Sequence, residues 1–328
     1  MDFALTEDQR AIQEAARAFA EAELAPHSAR WDEEKHFPVD VMKAAAEMGF
    51  CGIYAGEEHG GMALGRVEAA LIFEELSRGD VSVAAFISIH NMATWMIDGF
   101  GSDDLRARYV PSLVSMDRIA SYCLTEPGSG SDAAALRTTA VKDGDHYVLN
   151  GSKAFISGAG TSDIYVVMAR TGGEGAKGIS AFVVDKDAPG LSFGAQERKM
   201  GWNAQPTAQE YVASRKQFGK ALAEFQNTQF KLADMATQLD AARLMVLRGA
   251  WAIDTAHAEK TKWCAMAKRL ATDACFQIAD EALQLHGGYG YLKDYPLERI
   301  VRDLRVHRIL EGTNEIMRVI TAREMLRQ

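Results

Sequence analysis

Apolar residues recur at helical spacing through the first third of the chain. Thr6 and Gln9 have the spacing of a capping box, and apolar positions follow every three or four residues, as on one face of an amphipathic helix. Three further helical stretches are predicted at 39–47, 68–77 and 81–97. We therefore expect residues 1–120 to form an all-helical domain.

The period of the pattern changes after Tyr122. The segments that follow are short and rich in β-branched and aromatic residues, and Asp143-Gly144 and Asn150-Gly151 are typical of hairpin turns. Strands are predicted at 138–141, 146–149, 154–157, 164–168, 180–184 and 191–193. This pattern indicates a small antiparallel, β-barrel-like middle domain over residues 121–210.

Helical spacing returns at Tyr211. Apolar residues from Leu232 to Val246 share one helix face, and a later helix through Leu270 and Ile278 would end at Gly287. A C-terminal helical bundle over residues 211–328 completes an α+β fold of three domains.

Composition narrows the class of protein. The 328 residues are 48% hydrophobic and 25% charged, which suits a globular fold, and the net charge of −9 argues against nucleic acid or an anionic membrane as a partner. Polar residues such as His90 and Asn91 interrupt the apolar run 81–97, which predicts a core helix rather than a membrane span.

The cysteines and the first residues of the chain indicate the cellular compartment of the protein. The four cysteines lie in apolar or helical contexts without metal-ligand spacing, so we expect free buried thiols, no disulfide and no metal site. They are Cys51, Cys123, Cys264 and Cys275. The first residues have neither the basic and apolar pattern of a leader nor that of a transit segment, which favours a bacterial cytoplasmic location.

Glu311 is the candidate for chemistry. Gly312 allows unusual backbone torsions, and Thr313 or Asn314 can cap the following helix, so Glu311 is expected on a bend beside the apolar pair 309–310. A carboxylate in apolar surroundings has a raised pKa and can act as a base near neutral pH. The alternative is that Glu311 only complements the positive end of the helix dipole.

Five segments in fixed order carry a resemblance to a known family. They are YCLTEPGSGSD at 122–132, NGSKAFISG at 150–158, RKQFG at 215–219, QLHGGYG at 284–290 and EGTNEIMR at 311–318. Together they resemble the acyl-CoA dehydrogenase family of flavoproteins. Segments 86–98 and 310–315 look most like the members that act on isobutyryl-CoA in valine breakdown.

The resemblance implies α,β-dehydrogenation of a short branched-chain acyl-CoA, with isobutyryl-CoA giving methacrylyl-CoA. Glu311 would remove the α proton while the β hydrogen leaves as a hydride to N5 of FAD. Reduced FAD would pass its electrons to electron-transfer flavoprotein. Members are usually homotetramers, in which Arg215 and segment 284–288 reach the ADP half of FAD across a subunit boundary.

By the same resemblance, FAD-binding roles fall on residues in all five segments and just after the third. They are Tyr122, Leu124, Thr125, Gly130, Ser131, Phe155, Ser157, Arg215, Phe225, Gln226, Gln284, Gly287, Gly288, Thr313, Asn314 and Glu315. Ser131, Gly312 and Arg323 would contact the substrate.

Without the resemblance, several of these positions have simpler interpretations. The Gly128–Ser131 segment lacks the third glycine of a dinucleotide fingerprint and is typical of a turn. Phe155 and Ser157 would lie on one face of a strand, where an aromatic residue usually belongs to the core. Arg215 has the fork geometry suited to a pyrophosphate but could equally be a solvated charge.

The pattern of the family breaks once. Thr207–Glu210 runs directly into Tyr211, whereas the family continues with a closing strand, a loop and a long helix. Roughly fifty residues of the pattern are absent, and a helix of ~25 residues would span ~38 Å, so no small adjustment replaces it. An internally deleted variant, an excised segment and a degenerate paralogue all remain open. The second functional hypothesis is therefore a catalytically silent homologue that at most binds flavin or a partner.

Overall fold

A computed structural model describes residues 4–194, 199–202, 216–217, 220–221 and 226–327. The chain divides into two compact units. The first unit comprises Met1–Pro38, Gly65–Ala84 and Lys199–Gln328. The second comprises Val39–Leu64 and Ala85–Arg198.

The first unit begins with the predicted capping box. Thr6 Oγ1 accepts a hydrogen bond from the Gln9 amide, and the Thr6 amide donates to Gln9 Oε1, both at 3.1 Å. These bonds satisfy two amide groups that have no partner inside the helix, which fixes the start of α1. Helix α1 spans Glu7–Phe19 and continues as a π-helical turn, Ala20–Leu24.

The other described helices of this unit are longer on average. They are α2 (Ser28–Glu34), α4 (Arg66–Gly79), α7 (Gln226–Asp254), α8 (Lys260–His286), α9 (Leu297–His307) and α10 (Asn314–Leu326). Gly287 ends α8 with a φ of 58°, as predicted, because glycine tolerates this left-handed region. A 3₁₀ helix, Gly287–Tyr291, follows.

Buried contacts tie the helices of the first unit together. Ala279 and Ala282 of α8 pack against Leu297 and Ile300 of α9 in a hydrophobic cluster. The small alanine side chains of α8 let the two helices approach closely, so that the larger side chains of α9 fit against them.

Polar contacts also hold the first unit together. At the end of α7, the Asp254 carboxylate accepts hydrogen bonds from the amides of Arg66 at 2.7 Å and Val67 at 3.0 Å, so a distant residue caps α4. Glu75, only 2% exposed, accepts hydrogen bonds from Arg17 at 2.7 Å and Arg78 at 2.8 Å.

The second unit combines helices and a sheet. Its helices are α3 (Val39–Glu47), α5 (Val81–Phe100, from Ala85 onward in this unit) and α6 (Asp103–Val114). Its strands are β1 (Ala120–Cys123), β2 (Thr139–Asp143), β3 (His146–Asn150), β4 (Ile164–Arg170) and β5 (Ile179–Asp185). Short 3₁₀ helices lie at Glu57–His59, Ala133–Ala135 and Ala176–Gly178.

The sheet is mixed, with β4 at its centre. β5 pairs with β4 and β3 with β2 in antiparallel fashion, as predicted, and Gly144 at a φ of 63° forms the β2–β3 turn. In contrast, β1 lies parallel to β4 with Ala120 opposite Ile164, and Thr139 of β2 meets the end of β4, also in parallel. The prediction of a purely antiparallel domain is therefore wrong. β1 and β2 both pair in parallel with the same edge of β4, from which they are separated in the chain.

Two predicted strands do not form. Segments 154–157 and 191–193 have no strand structure, and Asn150-Gly151 ends β3 without closing a hairpin. Residues 216–217 and 220–221 form a separate two-stranded pair, β6 (Lys216–Gln217) and β7 (Lys220–Ala221). The element order nevertheless confirms the predicted fold class: helical, then β, then helical. The domain boundaries remain predictions.

The core of the second unit lies between α5, α6 and the sheet. It includes Ala93, Ile97, Leu113, Ile164 and Val166, each at most 2% exposed. Apolar residues of α5 and α6 therefore pack against apolar residues of β1 and β4 and bury them from water.

No helix in the described part of the chain has the length and apolar content needed to cross a bilayer. No group of three or more acidic, histidine or cysteine side chains there is arranged to hold a metal ion. The four cysteines are free; Cys51 and Cys123 are buried, which raises the pKa of each thiol to about 12.

Candidate active site

Glu311 lies on a bend between α9 and α10, as the sequence predicted. The φ angles of Glu311 and Gly312 are 53° and 90°, so two successive residues occupy the left-handed region. For a residue with a Cβ this conformation is unfavourable. Thr313 then starts α10 as its N-cap, with Oγ1 accepting from the Ile316 amide at 3.3 Å. The bend therefore presents Glu311 outside both helices.

The surroundings of Glu311 raise the pKa of its carboxyl group. The residue is accessible from solvent, but nearby protein removes much of the water around the carboxyl, and this desolvation raises its pKa. The positive charge of Lys268 opposes that effect without cancelling it. A carboxylate with a raised pKa is suited to accept a proton from a weak acid.

Asn314 connects the bend to α8. It is 2% exposed; its Oδ1 accepts from Lys268 Nζ at 2.8 Å, and its Nδ2 donates to Asp273 Oδ1 at 2.9 Å. Lys268 Nζ also donates to the carbonyl oxygen of Gly312 at 2.8 Å. The Asn314 side chain is thus occupied within the protein, and the cofactor role expected of Asn314 stays a prediction. Sequence reasoning missed Lys268 because nothing local connects it to a bend 44 residues away.

The other predicted residues of the first unit lie at helix ends and on surfaces. Gln226 is exposed at the start of α7, Gln284 is exposed in the last turn of α8, and Gly287 and Gly288 are exposed at the start of the following 3₁₀ helix. Glu315 and Arg323 are exposed on α10. Arg215 and Phe225 lie outside the described residues.

The second unit holds the predicted flavin-contacting strand and loop. Tyr122 belongs to β1, and Leu124 and Thr125 follow it, all half-buried. The Ala154 amide donates to the Thr125 carbonyl at 2.8 Å, which brings the NGSKAFISG segment beside this strand end. The structure therefore brings two of the predicted motifs together.

Glu126 anchors this loop, and sequence reasoning did not identify it. Its carboxylate accepts from the amides of Arg137 at 2.6 Å and Thr138 at 2.8 Å and from Lys153 Nζ at 2.9 Å. Burial would raise the pKa of Glu126, but these hydrogen bonds outweigh it and lower the pKa to about 2. Lys153 Nζ also donates to the Leu124 carbonyl at 2.9 Å, so the ion pair fixes both sides of the loop.

The glycine-containing segment that follows is a turn. Glu126 and Ser129 exchange backbone hydrogen bonds at 3.0 and 3.1 Å, and Gly130 and Ser131 are exposed. No heavy atom lies within 4 Å of the position that a Cβ of Gly130 would occupy. The turn therefore leaves open space beside the loop.

The structure corrects the strand predicted around Phe155 and Ser157. Phe155 has a φ of 57°, a left-handed torsion that a strand excludes, so alternation does not place the two side chains on one face. Ser157 is half-buried, and its carbonyl accepts from Ser121 Oγ at 2.5 Å. Phe155 is 80% exposed and so is not part of the core.

These residues of the second unit fit a planar, partly apolar ligand. An aromatic side chain held on a strained torsion with 80% of its surface exposed leaves apolar area unburied unless something covers it. The open space at Gly130 lies on the loop that Glu126 fixes. A flavin ring needs both features: a surface to stack on and an unobstructed loop.

Comparison with known proteins identifies the family of the chain. Three family models match the chain: "Acyl-CoA dehydrogenase, N-terminal domain" over residues 6–117, "middle domain" over 121–213 and "C-terminal domain" over 200–326. A relative described as mitochondrial isobutyryl-CoA dehydrogenase from Dictyostelium discoideum is 49% identical, covering 98% of this chain and 90% of its own length.

Solved structures agree with the sequence comparison. Butyryl-CoA dehydrogenase from Megasphaera elsdenii superposes with a TM-score of 0.93 at 31% identity, covering 99% of this chain and 100% of that one. A structure described as the FAD complex of PigA gives a TM-score of 0.95 at 28% identity, with 100% of each chain covered.

The alignment with the D. discoideum relative extends over 373 positions, whereas this chain has 328 residues, so it opens gaps in this chain. This finding agrees with the internal segment that the sequence pattern indicated as missing. All three domains of the pattern are nonetheless matched, in the expected order. The chain belongs to the acyl-CoA dehydrogenase family of FAD-dependent enzymes.

Proposed function

We propose that this protein oxidises a short branched-chain acyl-CoA at its α and β carbons, with Glu311 as the base. The observation that carries this proposal is the position of Glu311 on a left-handed bend, where desolvation raises the pKa of its carboxyl group. A structural carboxylate that only complements a helix dipole needs neither the strained torsion nor the desolvated setting.

The chemistry requires a base next to a weak carbon acid. Glu311 takes the proton from the α carbon of the thioester, and the electrons of that C–H bond form the new double bond as the β hydrogen departs. FAD, when bound, supplies the acceptor for that hydrogen, which leaves as a hydride to N5. The backbone N–H of Glu311 is the donor that the family resemblance implies for the thioester carbonyl, where negative charge develops.

Isobutyryl-CoA is the proposed substrate, with methacrylyl-CoA as product and valine breakdown as the setting. The support is the D. discoideum relative, described as an isobutyryl-CoA dehydrogenase and 49% identical to this chain. Ser131, Gly312 and Arg323 are proposed to contact the substrate.

FAD-binding roles are proposed for residues of both units. In the second unit they fall on Tyr122, Leu124, Thr125, Gly130, Ser131, Phe155 and Ser157. In the first unit they fall on Gln226, Gln284, Gly287, Gly288, Thr313, Asn314 and Glu315, together with Arg215 and Phe225. Electron-transfer flavoprotein as acceptor, a homotetramer and a cytoplasmic location complete the proposal.

A second candidate is a catalytically silent homologue that binds flavin or a partner. The gaps in the alignment with the D. discoideum relative favour it, because a missing helix removes part of any pocket wall.

An anaerobic titration of the purified protein with isobutyryl-CoA distinguishes the two candidates. Loss of the oxidised-flavin absorbance that Glu311→Gln abolishes supports the dehydrogenase. Butyryl-CoA, titrated in parallel, tests the preference for a branched chain. Flavin that stays oxidised with both thioesters, or a protein purified without flavin, refutes the catalytic proposal and leaves the silent homologue.

A further inference from the structure

Lys268 lies in the third turn of α8, and its side chain reaches the bend that carries Glu311. Its Nζ donates to the carbonyl oxygen of Gly312 and to Asn314 Oδ1, each at 2.8 Å. The Gly312 carbonyl is one residue beyond Glu311, and Asn314 is the first residue of α10. One ammonium group therefore holds the bend on its C-terminal side, at Gly312 and at the start of α10.

The bend needs such support from outside. Glu311 and Gly312 both have left-handed torsions, and Glu311 carries a Cβ that disfavours them. Unfavourable torsions persist only where the surrounding structure holds them. Charge-assisted hydrogen bonds are stronger than neutral ones, and those from Lys268 hold the Gly312 carbonyl and the Asn314 side chain, which follow Glu311 directly in the chain.

Lys268 is itself set in place by the elements around it. It is half-buried, and Asn314, which it contacts, is fixed in turn by Asp273 through a 2.9 Å hydrogen bond. Burial lowers the pKa of Lys268, while the negative charge of Glu311 works in the opposite direction. The lysine and the carboxylate therefore each influence the ionisation of the other.

Other charged groups also border this region. They are Arg269 and Asp273 on α8, His307 and Arg308 at the end of α9, and Glu315 and Arg318 on α10. Arg269, Arg308 and Arg318 lie within 3.8, 2.9 and 3.6 Å of Asp273, which partly neutralises them. Lys268 is the cation whose charge acts on the Glu311 carboxyl and lowers its pKa.

We propose that Lys268 is a positioning residue for catalysis, which holds the bend in the conformation that presents Glu311 and sets the electrostatic environment of its carboxylate. This inference rests on the proposed role of Glu311 as the base.

Lys268→Met removes both the hydrogen bonds and the charge. We expect kcat with isobutyryl-CoA at neutral pH to fall about tenfold because the base is displaced, with a smaller change in KM because two of the proposed substrate contacts, Ser131 and Arg323, are unaltered. The acidic limb of the kcat–pH profile should move upward by about one pH unit, because a nearby positive charge no longer favours the ionised carboxylate.

Two variants control this result. Lys268→Arg keeps the charge and should return the acidic limb toward that of the unaltered protein while kcat recovers only in part. Lys260→Met removes a positive charge from the exposed start of the same helix and should change neither parameter. If Lys268→Met does not fold, Lys268→Gln removes the charge but keeps a hydrogen-bond donor, and the same shift of the limb is expected.

A second readout is independent of turnover. Glu311→Gln should raise the Tm near pH 8 because it removes a desolvated charge, and this gain should be larger in the Lys268→Met background, where that charge is no longer balanced.

The outcomes separate the inference from the proposal on which it rests. If Glu311→Gln retains flavin reduction, the proposed function fails. If Glu311→Gln is inactive, but Lys268→Met leaves kcat, the pH limb and the Tm coupling unchanged, only the role of Lys268 is refuted.

Discussion

Glu126 and Lys153 form an ion pair inside the second unit, with 2.9 Å between Oε1 and Nζ and side-chain exposures of only 7% and 11%. The pair joins the start of loop 125–132 to the NGSKAFISG segment, and Lys153 also donates to the carbonyl of Leu124, just before the loop. Both segments were singled out as cofactor-binding motifs, yet neither of these two residues was assigned a role. Their contribution is to hold the loop in place.

Replacement of Glu126 tests that contribution. Glu126→Gln leaves the Lys153 ammonium buried without its counter-charge, and we expect a loss of about 3 kcal/mol in the free energy of unfolding of this unit. Urea denaturation at pH 7 measures it. Glu174→Gln, at an exposed position of the same unit, serves as the control and should change stability by less than about 0.5 kcal/mol. Equal effects of the two substitutions would contradict a structural role for the pair.

The pH dependence of the Glu126 effect has a defined sign. The folded pKa of about 2 lies below the ordinary value of 4.5, so ionised Glu126 stabilises the fold fully above pH 4.5, and the stabilisation is lost as the pH falls toward 2. The stability difference between the unaltered protein and Glu126→Gln should therefore be constant from pH 7 to 5 and shrink below that. Denaturation series at pH 7, 5, 4 and 3 would measure this, and a difference as large at pH 3 as at pH 7 would argue against it.

Gly158 is a position where a side chain cannot be accommodated. Its φ is 79°, and a Cβ would lie 2.5 Å from Ser162 Oγ and 2.7 Å from both Phe86 Cε2 and Ser121 Oγ. We expect Gly158→Ala to destabilise the protein by about 3 kcal/mol, through backbone strain and overpacking together.

Thermal unfolding measures the effect of Gly158→Ala. Gly173→Ala is the matched control, since no heavy atom lies within 4 Å of its Cβ position and its φ is not left-handed. A Tm for Gly158→Ala equal to that of the control would show that the segment moves to admit a methyl group.

His90 should make stability fall in mild acid. It is fully buried, its Nε2 lies 2.9 Å from the Leu113 carbonyl, and its Nδ1 accepts from the Ala120 amide at 3.1 Å, an arrangement that requires a neutral ring. Burial lowers its pKa from 6.5 to about 4. The unfolded state therefore binds the proton first, and stability decreases as the pH falls from 6.5 toward 4.

Comparison of His90→Gln with the unaltered protein isolates this effect. The variant is less stable at pH 7, but its stability should depend less on pH between 7 and 4.5, so the two curves converge in acid. His146→Gln, which replaces an exposed histidine with 64% side-chain exposure, should leave the slope unchanged. Parallel curves for His90→Gln and the unaltered protein would contradict a neutral buried ring.

Asp254 should stabilise the start of a helix remote in sequence. Its carboxylate accepts from the amides of Arg66 and Val67 at the beginning of α4. Asp254→Ala should cost about 1 kcal/mol, as for the loss of an N-cap, whereas Asp234→Ala on the same helix should cost less. Chemical denaturation of both variants measures the difference, and the prediction fails if their midpoints coincide.

Local signals in the sequence identified most of the helices. Thr6 with Gln9 and Thr313 with Ile316 form caps within three residues, and α3 begins and ends where its apolar period does. The bend at Glu311 was predictable for the same reason, because glycine and a capping residue follow it immediately.

The arrangement of the strands depended on longer-range contacts. β1 pairs in parallel with β4, 44 residues later, and β2 joins the same edge at Thr139. The composition of a segment indicates that it is extended but not which strand it pairs with. Composition also failed at Phe155. The β-forming residues around it predicted a strand, but its φ is in the left-handed region, and the neighbouring Ala154 amide donates to the Thr125 carbonyl instead of pairing in a sheet.

The sequence by itself determined the family motifs, the helices, the class of fold and the bend that carries Glu311, because each depends on residues close together in the chain. Only the tertiary structure decided which groups hold those motifs: Lys268 on the Gly312 carbonyl and Lys153 on Glu126, pairs separated by 44 and 27 residues. Such contacts form because a desolvated ammonium group requires an oxygen acceptor. Which acceptor lies within reach is fixed by the packing of whole elements.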